Sequence, residues 1–480
     1  MENKKLRQPG GLLPMLGTEM WERYGFYVIQ SLLALFLSIN MGLSNAETYS
    51  IVGTFTALAY ITPVIGGIIA DKLIGQKLAV LFGCYALLAS YLFLSFFYGN
   101  IECLYISLAG VAVGTGLLKP NVSCLVGTLY KPGDPRRDGG FSIYYAGMAF
   151  GILIGTTVPY SLQEVFGWQI TFLSPAFALL FASLIFYFGT KLFKIQDNNM
   201  LEHTFKKKCI AIVCAFLMGL SAFILLDFPL IALVFFISLA IVCVIAVIVI
   251  SMGENKIQRG KTLSFLILCF VSVMFWTLYF QMFLSLTLFI YNCVEKSFLG
   301  LTIHATYYVA LESIGLVIIG PMLSPIFSRF YIKRDALDSW LKFLLSIVFM
   351  MLAFGFIVLS IHTTTPEELV SPFWLLIAYL CVSVAELLLS PVGLSMSTKL
   401  VRPQVVGLMM GIFFVSLGIG GYLAGVLAKI ATVAKGASYI DMKDIYLHAF
   451  TDYLLIAVGI FFISFVLLFV LRKLNPPQKG

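Results

Sequence analysis

The chain has 480 residues, 60% hydrophobic and only 11% charged, where a soluble domain carries about 25% charged residues. That balance excludes a soluble enzyme and a receptor with a single anchor, and it points to an all-α polytopic membrane protein with little length left for a soluble domain. The net charge of +8 calls for no nucleic-acid partner, because membrane proteins concentrate Lys and Arg in the loops of one side.

Fourteen apolar runs reach spanning length, at about 20 residues each. They lie over 22–40, 48–70, 78–98, 101–127, 140–161, 168–190, 209–226, 229–252, 263–291, 305–328, 340–361, 372–396, 405–430 and 450–471. The basic start MENKKLRQ looks like a signal peptide. The run behind it, however, follows Glu19, Glu22 and Arg23, passes Leu37 and lacks a small-residue cleavage site, so a retained helix is expected.

Of the 31 basic residues, 25 fall in alternate loops on one side, from Lys4 through Lys206–Lys208 to Lys479. Lys296, Lys429, Lys435 and Lys443 fall on the other, and Arg23 and Lys119 lie within spans. This asymmetry predicts both termini in the cytoplasm of a cell with a cytoplasmic (inner) membrane. The seventh and eighth runs carry only Asp227 between them and read as a lipid-facing insertion. The expected organisation is a six-helix bundle over 1–190, a linker with two inserted helices over 191–262 and a second bundle over 263–480.

The nine cysteines lie within or beside apolar runs and form no CxxC pair, which reads as buried thiols. The four histidines do not pair at ligand spacing. No metal and no cofactor is expected, and no nucleophile–base pair or phosphate loop suggests an enzyme.

The ionisable residues inside the spans carry the functional information: Glu19, Glu22, Arg23, Lys119, Glu312 and Glu386. Each would cost about 3 kcal/mol at mid-membrane if left unpaired. They must therefore face one another or a wet cavity, which marks a transport pathway. Positions 19, 22, 23, 26, 27 and 30 recur at intervals of three and four, so they share one helical face. Two carboxylates around one cation leave one carboxylate in excess, the basis of a proton-carrying site, with Glu22 beside Arg23 expected to cycle the proton. A purely structural ion pair is the alternative.

The ExxER of Glu19–Arg23 with the aromatics Phe26 and Tyr27 resembles the first-helix motif of the proton-coupled oligopeptide transporter (POT/PTR) family, bacterial type, within the major facilitator superfamily. Further matches follow in order. Gly66, Gly67, Asp71, Lys72 and Gly75 resemble the gating loop between helices 2 and 3. Gly114, Gly116, Lys119, Pro120 and Asn121 resemble helix 4. Asp138 through Tyr145 resembles helix 5, Glu386 with Ser390, Pro391 and Gly393 resembles helix 10, and Met409–Gly411 resembles helix 11. The resemblance implies the superfamily fold, two six-helix bundles plus two extra helices, and proton-driven import of di- or tripeptides or a peptide-like solute by alternating access.

Carried over position by position, Glu19, Glu22, Arg23 and Lys119 serve proton coupling. Arg23, Lys119, Tyr27, Tyr60, Glu312 and Glu386 serve substrate binding, and Gly67, Asp71 and Lys72 serve gating. For Tyr27 and Tyr60 interior packing is the alternative, and for Asp71 a solvated turn. The partners implied are the substrate, protons and the bilayer, with a monomeric chain.

The chain departs from its relatives in several places. Ala149 stands where most carry Asn, Glu312–Ser313 where they carry Asn-Pro, and Phe413 where they carry Trp. Gln30 and Phe280 replace an Arg–acid pair, and Gly53 stands where animal relatives use His. Proton coupling then rests on Glu19, Glu22 and Glu312. A second carboxylate at Glu312 is expected to favour cationic over acidic substrates, unless a neighbour neutralises it. Other readings keep the fold but move a non-peptide zwitterion or export a peptide-like compound, or make the chain a transport-dead sensor.

Overall fold

The computed structural model describes residues 7–131, 133–197, 204–329 and 335–474. Lys4, Lys5, Lys333, Arg334 and Lys479 of the charge asymmetry lie outside them. The helices are α1 (Leu12–Leu35), α2 (Asn45–Ile69), α3 (Gln76–Phe97), α4 (Ile101–Thr128), α5 (Arg137–Leu192), α6 (Phe205–Asp227), α7 (Pro229–Met252), α8 (Lys256–Tyr279), α9 (Ser285–Cys293), α10 (Ala305–Arg329), α11 (Asp335–His362), α12 (Pro372–Lys399), α13 (Val406–Ala428) and α14 (Tyr439–Leu474).

Every apolar run becomes helical, but not always one run to one helix. The 56 residues of α5 hold two runs, folded where Gly167 takes φ of 77°. The single run over 263–291 is α8 and α9 joined through a 3-10 turn at Phe280–Phe283. Eleven described helices are long and apolar enough to cross a membrane by length and composition. α1 holds Glu19, Glu22 and Arg23 in its first half and does not belong to that set. A short hairpin, β1 (Ser297–Phe298) with β2 (Leu301–Thr302), follows α9.

Polar residues close the helix ends where apolar runs stop. Ser44 and Glu47 reciprocate at the start of α2, with Ser44 N donating to Glu47 Oε2 at 3.0 Å and Glu47 N to Ser44 Oγ at 3.2 Å. Ser438 and Asp441 repeat that box at α14. The Asn100 side chain accepts from Cys103 N at α4, and that of Asn255 accepts from Gln258 N at α8. Each satisfies donors that a helix's first turn leaves open.

The chain forms two compact units. One comprises Met1–Leu33 and Leu58–Pro229, the other Ala34–Ala57 and Leu230–Gly480. In the first, α2 and α4 cross at contact distance. A Cβ placed on Gly66 would strike the carbonyl of Gly116, and one on Gly116 would lie 2.8 Å from Thr62 Cβ. Thr62 Oγ1 also donates to Ala112 O at 2.8 Å. Small residues let membrane helices approach this closely. Gly66→Leu is accordingly expected to destabilise the protein by about 1–3 kcal/mol or more, the usual cost of overpacking. Its yield and thermal unfolding in detergent should fall well below those of Gly67→Leu.

In the second unit, α2 and α13 meet as closely. Gln281 Nε2 ties α13 to the turn between α8 and α9 through Ala424 O at 2.9 Å, and the Phe236 ring of α7 lies 4.4 Å from that of Tyr422.

The inserted pair divides between the units. The apolar window of α7 is only 11% buried, as a lipid-facing helix should be. On α6, by contrast, Ala211 and Met218 join Ile69, Ala70 and Ile74 in an apolar cluster with Val113 and Leu117 of α4.

Candidate functional site

In the first unit the α1 face converges on α4. Arg23 is 3% exposed and Glu19 and Glu22 are fully buried. Arg23 holds Glu22 with both prongs of its guanidinium, Nε to Oε2 at 2.6 Å and Nη2 to Oε1 at 2.7 Å. Thr115 of α4 adds a hydroxyl donor to Glu22 Oε1 at 3.1 Å. This is the planar, bidentate pairing for which an arginine is suited.

Glu19 is placed differently. Its Oε1 lies 3.5 Å from Arg23 Nε, without a hydrogen bond to the guanidinium. The hydroxyl of Tyr144, shared with Ser123 Oγ at 3.2 Å, borders it. The two carboxylates that look alike in sequence thus have unlike surroundings: Glu22 is held by short bonds from Arg23 and Thr115, and Glu19 has Arg23 and Lys119 only at longer range.

Lys119 is half-buried and sets its ammonium 5.4 Å from the ring centre of Tyr60. Tyr27 and Tyr60 are both half-buried, and Tyr27 acts electrostatically on Arg23. Glu19, Glu22, Arg23, Lys119, Tyr27 and Tyr60 therefore gather in one unit.

The residues expected to gate lie at the end of α2. Residues Ala70–Ile74 form one π-helical turn, closed by Gly75 N donating to Ala70 O at 2.8 Å. Asp71 accepts from Gln76 Nε2 at 3.0 Å, and Asp197, beyond α5, accepts from Lys77 N at 2.9 Å. Asp71 and Lys72 are exposed. A Cβ on Gly67 would have only Pro120 nearby, at 4.0 Å, so the steric need for glycine falls on Gly66.

The second unit carries the remaining acids. Glu312 on α10 is 2% exposed, and Glu386 on α12 is half-buried. Tyr279 of α8 donates its hydroxyl to Glu386 Oε2 at 2.7 Å. Ser383, one turn before Glu386, donates to the Glu312 carbonyl at 2.9 Å and pins α12 to α10. Among the described residues, no ion pair reaches Glu312 or Glu386.

The departures have local reasons. A Cβ on Gly53 would lie 2.7 Å from Gly425 Cα, so no histidine fits there. Phe280 is buried and stacks on Trp276 at 5.5 Å, which makes that position apolar packing instead of half an ion pair. Among the described residues, no group of His, Cys, Asp and Glu could hold a metal ion.

Sequence reasoning did not single out Thr115, Tyr144 or Tyr279. A signal existed for the first two. Thr115 sits one turn before Lys119 within Gly114–Gly116, and Tyr144 lies in the helix-5 stretch already quoted. Tyr279 gives none, because its role depends on where α8 and α12 cross.

Comparison with known proteins agrees with this geometry. The model of the POT family matches residues 72–444. The dipeptide and tripeptide permease B of Salmonella typhimurium is 28% identical over 98% of this chain and 97% of its own length. The crystal structure of tetrameric PepTSo2 superposes with a TM-score of 0.85 at 25% identity, covering 97% of this chain and 99% of that one. A peptide transporter POT variant in complex with alafosfalin superposes with a TM-score of 0.81 at 26% identity, over 98% and 96% of the two chains. Matched over most of its length, and carrying the expected side chains where the helices bring them together, this multi-pass membrane protein belongs to the POT family.

Proposed function

We propose that this chain is a proton-coupled symporter that imports di- or tripeptides, or peptide-like solutes, across a bacterial inner membrane by alternating access. One observation carries the reading: the cations within the spans, buried Arg23 and half-buried Lys119, belong to one unit, and the acids Glu312 and Glu386, which have no ion pair among the described residues, belong to the other. A peptide is a zwitterion, and each unit offers the counter-charge for one of its ends. A ligand engaging both stabilises whichever state presents them together, which is how binding energy biases a rocking transporter. Relatives named as dipeptide and tripeptide permeases, and one relative's complex with alafosfalin, support the substrate class.

In this reading Arg23 and Lys119 receive the substrate carboxylate, and Glu386 receives its ammonium. Tyr27, Tyr60 and Glu312 complete the lining. Glu19 carries the coupled proton within the cluster of Glu22, Arg23 and Lys119, and Gly67, Asp71 and Lys72 belong to the gate. The transporting body comprises 1–190 and 263–480, with 191–262 as linker and inserted helices. Both termini are cytoplasmic, and the single chain is the transport unit.

The reading is tested by uptake of a dipeptide panel into proteoliposomes with and without an inward proton gradient. Accumulation above equilibrium only with the gradient is the expected result. Uptake indifferent to the gradient would sink it. Glu386→Gln should weaken binding of free-amine dipeptides by about 10- to 100-fold, the range of a hydrogen bond to a charged group. N-acetylated analogues should be affected much less. Equal losses for the two ligand classes would remove Glu386 as the amine anchor.

A further inference from the structure

We infer that Glu312 and Glu386 together form a second proton site, one that holds a single proton beside the ammonium group of the substrate. The inference rests on the reading of Glu386 as amine anchor. The bond from Ser383 to the Glu312 carbonyl pins α12 to α10 one turn from Glu386, and Glu386 is the acid whose charge acts on Glu312. Glu312 Oε2 accepts only the Ser313 hydroxyl, at 3.2 Å, and the buried Oε1 has no donor at all among the described residues. Glu386 Oε2 accepts from the Tyr279 hydroxyl at 2.7 Å.

The other titratable groups around the pair are phenols: Tyr279 from α8, Tyr308 one turn earlier on α10, and Tyr379 on α12, which neighbours Glu312. Helices α9, α11 and α13 bring no charged group to Glu312 among the described residues. Two neighbouring carboxylates without a cation repel. One proton between them turns the repulsion into a hydrogen bond.

Burial decides where that proton resides. Glu386 is the partly exposed member and Glu312 the enclosed one. An arriving ammonium therefore reaches Glu386, while the proton stays on Glu312. Two carboxylates, one proton and one ammonium are neutral together, so the loaded pair carries no net charge through the membrane. A protonated carboxyl also has one donor and one acceptor to offer, as the asparagine of most relatives does. On this view the extra acid changes the number of protons carried. It does not add charge to the ligand site, and the preference for cationic substrates expected from sequence does not arise.

Glu312→Gln keeps the neutral donor and removes the exchangeable proton. The proton-to-peptide ratio, read from the reversal potential in proteoliposomes, should be greater by one proton in the natural protein than in this variant. An infrared difference spectrum of the full-length protein at neutral pH should show a protonated-carboxyl band that Glu312→Gln lacks. Equal ratios in the two proteins, or no such band in the natural one, would overturn the inference. Loss of all accumulation in Glu312→Gln with counterflow intact would support the pair and transfer the whole coupling to it, away from Glu19. Should that variant not fold, Glu312→Asn takes its place and the band in the natural protein still decides. Absence of gradient-driven uptake in the natural protein defeats the symport reading by itself, whichever way the infrared measurement falls.

Discussion

Glu19→Gln is expected to abolish gradient-driven accumulation while leaving peptide exchange largely intact. The reason is the division of labour within ExxER. Glu22 is committed to Arg23 through two short bonds and to Thr115 through a third. Releasing it means breaking a buried ion pair, at about 3–5 kcal/mol. Glu19 keeps a 3.5 Å approach to the same guanidinium, with the Tyr144 hydroxyl and the Lys119 charge as further polar neighbours, so taking or losing a proton there breaks less than at Glu22. Gln at position 19 is a permanent mimic of the protonated acid. It should allow binding and counterflow but remove the dependence of accumulation on the proton gradient. Concentrative uptake at the natural level by Glu19→Gln, together with its loss in Glu22→Gln, would return the coupled proton to Glu22.

Arg23→Ala should be the most damaging single change. It leaves Glu22 buried with only Thr115, beside the equally buried Glu19, and an uncompensated buried charge costs about 3–5 kcal/mol. It also deletes a cation proposed to receive the substrate carboxylate. The outcome expected is a marked fall in detergent thermal stability together with loss of peptide binding. Arg23→Lys should recover part of the stability, because the charge remains. It should recover little of the binding, because an ammonium cannot reproduce the two-pronged geometry. A stable Arg23→Ala protein that transports normally would show that the pair is incidental.

Much of this was legible in the sequence because a membrane forces its hand. An apolar run of about 20 residues has almost no alternative to a spanning helix, so the helical runs could be laid out one after another. Charges within such runs stand out for the same reason, and Arg23 beside Glu22 could be paired by spacing alone. What spacing could not supply was the difference between Glu19 and Glu22. Both lie on the Arg23 face of α1, and what separates them is the direction in which the guanidinium turns and the position of Thr115 on another helix. Glu312 and Glu386 are 74 positions apart, and nothing local says that α10 and α12 lie against each other beside them. The same limit hid Tyr279. It also hid the unequal fates of α6 and α7, two apolar helices of similar composition whose neighbours are set by the fold.

The lysine buried at the start of α14 changes how the outer face should look to an approaching solute. Lys443 is 4% exposed, and its ammonium is consumed by the carbonyls of Thr364, Thr365 and Glu368 at 3.3, 2.6 and 3.1 Å. A charge so engaged projects little field into water. Glu295, Glu367, Glu368, Asp441 and Asp444 around it remain exposed. If the charge asymmetry orients the chain as proposed, this rim presents a net negative potential to the periplasm. Such a rim concentrates hydronium and ammonium ions above their bulk level and speeds their encounter, an effect that fades as ionic strength rises. Apparent affinity for protons and for amine-bearing peptides should therefore weaken with added salt, even though no residue of the buried clusters has changed.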